Sequence, residues 1–252
     1  MSVDHELVSI LMPVFQGEQT LARAIGSVVD QTYGCWELLI VDDGSSDSSA
    51  AIARTFASTD NRITLVLQDN SGPAKARQLA LENASGRYIA FLDADDFWLP
   101  EKLEQQLAFM IRNDCVMSHT SFRRVSEDES EVGRLIRVPE RLTYRGVLGN
   151  TAIATSTVVV DRKVAGVFTI PNVYHDDLAL WLSLLKSGGC SLGLNLDLVR
   201  YRVTPNSYSR NKLKNAYMVW RTYRDSQNLN VVLALYFFGL YAINAVLKYR
   251  HF

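Results

Sequence analysis

An α/β fold, with helices flanking a mostly parallel sheet, follows from three features of the sequence. Short apolar runs alternate with helix-period stretches through the first hundred residues, the pattern of repeated strand-helix units with right-handed crossovers. The runs LVSILMPVF, WELLIV and YIAFL are almost continuously apolar, as strands covered on both faces must be. Three strand ends run into polar clusters, PVFQGE, DDGS and DADD, and open α/β sheets bind ligands beyond the carboxyl ends of their strands.

Each element has its own local reason. Leu7 to Phe15 is an apolar strand closed by Pro13, and Thr20 to Gln31 places Leu21, Ile25, Val28 and Val29 at helical spacing. Trp36 to Val41 is the second strand, followed by Asp42-Asp43-Gly44-Ser45 and a helix through Phe56, for which Ser46 and Asp47 are candidate N-caps. Ile63 to Leu67, the turn Asp69 to Pro73 and the helix Ala74 to Ala84 form a third unit, and Tyr88 to Leu92 is the central strand. Pro100 opens a helix with Glu101 in its first turn, running to Arg112. Beyond it, Val116 to Val125 is extended, SEDESE (126–131) is a surface loop, and 134–149 has no clear period. Thr155 to Val160 (TSTVVV) is a β-branched strand, and Val164 to Val173 a connection. Leu178, Trp181, Leu182 and Leu185 then recur as one buried helix face, stopped by Gly188-Gly189 with Asp176-Asp177 at its N-terminal edge.

With 252 residues, 48% hydrophobic, the chain has the core of one large domain or of one domain plus an appendage. A net charge of -1 gives no basic field for nucleic acid. Cys35, Cys115 and Cys190 are few and scattered, which fits a reducing compartment rather than a disulfide framework or a zinc site. The acidic start, Asp4 and Glu6, lacks the pattern of a signal peptide, so the cytosolic side is expected. No Gly-x-Gly-x-x-Gly, no P-loop, no Gly-x-Ser-x-Gly elbow and no paired histidines occur.

The DADD cluster carries the first chemical reading. Alternation along an extended backbone puts Asp93 and Asp95 on one face, with Ala94 and Asp96 pointing elsewhere. Neighbouring carboxylates repel unless a cation lies between them, and hard divalent cations favour such oxygens. The structural alternative is a solvated acidic turn. Asp176 and Asp177 read likewise in two ways, as a helix N-cap with an acidic first turn or as a general base. Lys75 and Arg77 are either phosphate neighbours or solvated helix charges.

The stretches SILMPVFQGEQTLARAIGSVVDQTY, WELLIVDDGSSDSS, NSGPAKARQLALENASGRYIAFLDADD and HDDLALWLSLL together resemble glycosyltransferase family 2, over about residues 7–200. The resemblance implies the GT-A fold and an inverting, metal-dependent transfer of a hexose from a nucleoside diphosphate, UDP being expected. It implies that Pro13, Val14, Phe15, Glu18 and Asp42 hold the nucleotide, that Arg77 neighbours the diphosphate, and that Asp93 and Ala94 complete the nucleotide-sugar site. Asp93 and Asp95 would ligate Mn2+ or Mg2+, with Asp95 the principal ligand. Family members carry Glu-Asp before the leucine and tryptophan helix; here Asp176-Asp177 stands there, so Asp177 is the expected base and Asp176 a possible sharer of that role. Phe15-Gln16 replaces the more frequent Tyr-Asn, which preserves ring stacking.

The tail is different in kind. No charge occurs from Ser226 to Leu247, while Lys214, Arg221, Arg224, Lys248 and Arg250 flank the run. Basic and aromatic flanks favour a helix lying on an anionic lipid surface, ahead of a docked helix and of a true span. The division expected is therefore 1–210 for the transferase domain and 211–252 for a helical, membrane-associating extension. The tail also resembles family members that build bacterial surface polysaccharide, of O-antigen or teichuronic-acid type, on lipid-diphosphate carriers. That resemblance implies a peripheral location on the inner face of the cell membrane. The competing readings are an aspartyl-phosphate phosphatase, whose Asp-x-Asp normally lies near the chain start, and a non-catalytic sugar-binding module.

Overall fold

The computed structural model describes residues 6–150, 153–203 and 212–249. The first half is a run of strand-helix units: β1 (Val8–Val14), α1 (Leu21–Val29), β2 (Trp36–Asp42), α2 (Ser49–Thr59), β3 (Ile63–Leu67), α3 (Pro73–Glu82) and β4 (Tyr88–Phe91). β1 pairs in parallel with β2 and β4, and β2 with β3. Val14 stands beside Asp42 and Asp42 beside Leu67, so these strands deliver their polar ends to one sheet edge.

The second half extends the sheet. β5 (Phe97–Trp98), α4 (Lys102–Asn113), β6 (Met117–Ser126), β7 (Val132–Ile136), β8 (Arg141–Thr143) and α5 (Tyr144–Gly149) precede β9 (Val159–Asp161), α6 (Arg162–Ala165), α7 (Asp176–Leu185) and β10 (Cys190–Val203). The sheet order is β3-β2-β1-β4-β9-β6-β10-β5, with β7 on β6 and β8 on β10. β9 runs antiparallel between β4 and β6, whereas β6 and β10 are parallel.

Side-chain alternation explains why the central runs are apolar throughout. Ile10, Met12, Leu38 and Ile40 pack with α1, Ala53 of α2 and Leu103, Leu107 and Met110 of α4. Leu11, Leu39 and Val41 face the opposite way, onto Ala76 and Ala80 of α3 and the leucines of α7. A strand buried on both faces has no position for a polar side chain except at its end.

Several expectations need correction. Thr155 to Val160 is not one strand: Thr155–Thr157 forms a 3-10 turn and only Val159–Asp161 pairs. The turn aims its hydroxyls inward, which β-branching alone does not reveal. Neither Ser46 nor Asp47 caps α2; Ser48 takes that position, while Asp47 accepts from the Ser49 amide at 3.0 Å. Pro100 precedes the cap of α4, which is Glu101, and the acid of its first turn is Glu104.

The C-terminal residues form α8 (Lys212–Arg221), a π-helical turn (Thr222–Ser226) and α9 (Val231–Tyr249). They join the same core as α7: Val219, Tyr223, Ala234 and Phe237 are buried in it. The Tyr223 hydroxyl donates to the Leu148 carbonyl, and Asn244 Nδ2 donates to the Gly149 carbonyl at 2.9 Å. The expected boundary at 210/211 lies outside the described residues. The opposite face of α9 is open, with Val232 76% and Tyr236 60% exposed. Among the described residues, no helix is long and apolar enough to cross a membrane.

Candidate active site

The candidate site lies where the parallel strands β1, β2 and β4 end. After β1, Phe15 leaves the sheet 52% exposed, while Pro13 and Val14 stay buried beneath it. The next residues are tied to the β2 loop. The Gln16 amide donates to Ser45 Oγ at 3.0 Å, Gly17 to Ser49 Oγ at 2.8 Å and Glu18 to Asp47 Oδ2 at 3.0 Å. Glu18 returns the contact by accepting from the Ser48 amide at 3.0 Å. A Cβ at Gly17 would stand 2.9 Å from Val14 Cγ2 and 3.9 Å from Ala94 Cβ. Glycine thus lets this loop fold tightly back over Val14.

The two acids of Asp-Asp-Gly have different tasks. Asp43 is buried and accepts from Gln68 Nε2 at 2.6 Å and from the Ser71 and Gly72 amides at 2.8 Å each. It fixes the turn that starts α3. Asp42, also buried, accepts only a long 3.3 Å bond from the Ser45 amide among its recorded hydrogen bonds, which leaves it acceptor capacity. Gly44, at φ +75°, passes so close to the β3-α3 turn that a Cβ would sit 2.9 Å from the Asn70 nitrogen.

The Asp-rich turn departs from simple alternation. β4 ends at Phe91, and the Asp96 amide donates to the Asp93 carbonyl at 3.0 Å. This turn brings Asp96 back, so that oxygens of Asp93, Asp95 and Asp96 all lie within 4.8 Å of one another. Asp96 is buried: the Ser156 hydroxyl meets Oδ2 at 2.5 Å and the Arg202 amide donates to Oδ1 at 2.9 Å. Burial, then the charges of Asp95 and Asp93, holds the Asp96 carboxyl well above the usual range. Solvent reaches Asp95, the exposed member, yet crowding by protein and the charge of Asp93 still push it up to about 6.

Arg77 of α3 is buried and bridges two elements, with Nη2 2.6 Å from Asp93 Oδ1 and Nη1 2.6 Å from Asp176 Oδ2. Burial alone would lower its proton affinity, but the two carboxylates outweigh it and raise it. The solvated-charge reading of Arg77 is thereby replaced, while Lys75 does stand exposed. The N-cap reading of Asp176 is likewise replaced: His175 occupies the cap position of α7, and Asp176, first in the helix, turns to Arg77. Burial raises the Asp176 carboxyl against the pull of Arg77, with the charge of Asp177 adding to the rise. Asp177 is half-buried and accepts from Thr155 Oγ1 at 3.0 Å.

The donor set fits a hard divalent cation. Asp95 has an open carboxylate, and Asp93 has an oxygen beyond the one Arg77 takes. Asp96 is committed to Ser156 and Arg202. Arg77 joins Asp93 to Asp176, and the Gln16–Glu18 loop is tied to the turn after Asp42, whereas Lys75 stands apart, exposed. Ser156, Thr155 and Arg202 were not legible in advance, because nothing local marks a residue whose partner lies 22 to 107 positions away.

The sequence matches the model of Glycosyl transferase family 2 over residues 9–167. It is 43% identical over 244 residues to TuaG of Bacillus subtilis, named as a teichuronic acid biosynthesis glycosyltransferase, spanning 96% of this chain and 97% of that one. It is 37% identical over 250 residues to WfgD of Escherichia coli, spanning 98% and 96%. WfgD is named as a UDP-Glc:alpha-D-GlcNAc-diphosphoundecaprenol beta-1,3-glucosyltransferase. Among solved structures, Staphylococcus aureus TarS 1–349 in complex with UDP-GlcNAc superposes with a TM-score of 0.71 at 16% identity, over 94% of this chain and 71% of that one. The mannosyltransferase PcManGT of Pyrobaculum calidifontis, in complex with GDP-Man and Mn2+, gives 0.71 at 15% identity over 96% and 73%. These likenesses show the GT-A fold.

Proposed function

This chain belongs to the family 2 glycosyltransferases, and from that premise we propose that it moves a hexose from a UDP-sugar to a hydroxyl of a lipid-diphosphate-linked saccharide, in the making of a bacterial surface polysaccharide. The observation that carries the reading is Arg77, which joins Asp93 of the Asp-rich turn to Asp176 at the start of α7, the neighbour of Asp177, at 2.6 Å each. The names and near-complete overlap of TuaG and WfgD support the acceptor class.

The nucleotide lies along the edge made by Phe15 and Asp42. The exposed Phe15 ring offers a stacking face for the base, and Asp42 has acceptor capacity for ribose hydroxyls. Asp95 and Asp93 would hold Mn2+ or Mg2+, which would supply positive charge for the departing diphosphate. Asp177 takes the proton of the acceptor hydroxyl as its oxygen attacks the anomeric carbon. The new C–O bond forms on the face opposite the breaking bond to the diphosphate, so the anomeric centre inverts. Thr155 holds the Asp177 carboxylate in orientation through its hydroxyl.

The enzyme works at the inner face of the cell membrane. The open face of α9, with Val231, Val232, Leu235, Tyr236 and Ile243 exposed, supports a lipid-facing surface. The charge distribution supports it further: residues 1–131 hold 21 acidic and 10 basic side chains, residues 132–252 hold 6 and 16, and anionic lipid attracts the latter half. The test is a panel of UDP-sugars with a GlcNAc-diphosphate-lipid acceptor, read by mass of the glycosylated lipid. UDP release without a lengthened acceptor across the panel would overturn the assignment.

A further inference from the structure

Arg202 lies outside every motif discussed above, near the end of β10, yet it touches the Asp-rich turn from both sides. Its amide donates to Asp96 Oδ1 at 2.9 Å, and its Nε donates to the backbone carbonyl of Asp95 at 2.9 Å. The rest of the guanidinium reaches the tip of the β6-β7 hairpin, donating to the Glu127 carbonyl and to Glu129 Oε1 at 2.7 Å. The side chain is only 3% exposed. Arg23, which also pairs with Glu129, and Arg202 both lie over the ring of Phe97. Among the described residues no other residue hydrogen-bonds the Asp95 carboxylate, which meets only its own backbone, so its place is set by that backbone.

We propose that Arg202 is the positioning residue of the cation site: by holding the Asp95 carbonyl and the Asp96 carboxylate it presents Asp95 to the metal, and through Glu129 it makes that presentation depend on the 126–131 hairpin tip. The inference rests on Asp93 and Asp95 being the cation's ligands. A planar fork is required, because the three side-chain acceptors, two carbonyls and a carboxylate, lie in different directions, and lysine brings one nitrogen to a task that needs three. Outer contacts of this sort change metal affinity by about 10- to 100-fold when removed.

The test is calorimetric titration of Mn2+ into the full chain with UDP present. Four proteins are compared: wild type, Arg202→Lys, Glu129→Gln, and Arg87→Lys as control. Arg87 bonds Asp161 and Glu6 far from the candidate site, so its substitution perturbs a comparable ion pair without touching the turn. Arg202→Lys is expected to bind Mn2+ about 10- to 100-fold more weakly. Glu129→Gln should bind it more weakly by a smaller factor, and Arg87→Lys as wild type does. Unchanged affinity in Arg202→Lys, with only its melting temperature lowered, overturns the proposal. Should Arg202→Lys fail to fold, Glu129→Gln decides: unchanged affinity there overturns the coupling. A wild-type protein that binds no Mn2+ overturns the ligand assignment itself, a result distinct from a failure confined to the variants.

Discussion

Asp176 and Asp177 are neighbours with the same functional group, and replacing each by Asn should produce opposite phenotypes. Asp176 is 7% exposed at its side chain and bonds the 11% exposed Arg77 at 2.6 Å. Asn keeps an acceptor but not the charge, and a hydrogen bond to a charged group is worth about 1.5–3 kcal/mol. Part of that is offset, because burial already disfavours the charged form of Asp176. A net loss of about 1–2 kcal/mol remains, which for a chain of this size lowers the melting temperature by roughly 2–8 °C. Asp177 is half-buried, and Asn can keep the Thr155 contact, so Asp177→Asn should stay within about 0.5 kcal/mol of wild type. Its turnover should fall by ~10²–10⁴, the range for losing a general base, with UDP affinity nearly unchanged. Thermal melts and steady-state kinetics on both variants separate the two effects. If Asp177→Asn turns over normally while Asp176→Asn is dead, the base has been assigned one residue too late. If Asp176→Asn melts like wild type, Arg77 does not hold the Asp-rich turn to α7 as argued.

Asp95→Ala should abolish transfer, and activity should require Mn2+ or Mg2+; full activity in excess chelator would falsify this. Cation affinity should weaken about tenfold per pH unit below 6, since the cation must displace the proton that Asp95 holds there; a flat titration between pH 5 and 7 speaks against Asp95 as a ligand. The sign for stability is opposite. The unfolded chain sheds the Asp95 proton near 3.8 and the folded one near 6, so the cation-free protein should lose stability as pH rises through that window, which pH-dependent melts can check. At the C-terminus, Val232→Glu with Leu235→Glu should release the protein from anionic vesicles in flotation without lowering its melting temperature, as both side chains are exposed; unchanged flotation removes α9 from the lipid contact.

What the sequence made legible was whatever repeats locally. The alternation of apolar runs and helix-period stretches placed β1 to β4 and α1 to α4, because a strand buried on both faces must be apolar along its length. The polar ends of those strands marked the candidate site for the same reason. The 134–149 stretch resisted reading because β7, β8 and α5 are short and owe their form to pairing with β6 and β10. Asp96 was misplaced because alternation holds only while the strand does, and it stops at Phe91. Asp176 was misread because Asp at a helix start serves equally as a cap and as an ion-pair partner, and Arg77, which decides between them, is 99 residues away.

The same long-range pairs explain how the site tolerates its own charge. Asp93, Asp95 and Asp96 cluster, Arg77 joins Asp93 to Asp176, and among the described residues the buried arginines that touch these acids are Arg77 and Arg202. Arg77 serves the outer pair, Asp93 and Asp176. Arg202 spends its charge on Glu129 and grips the turn only through a carbonyl and its own amide. Burial first, then the charge of Asp93, holds the Asp95 carboxyl high against the pull of Arg202 and Arg77. An acid so perturbed within a carboxylate cluster is the mark of a functional site, and a divalent cation bound there would supply the positive charge that relieves it.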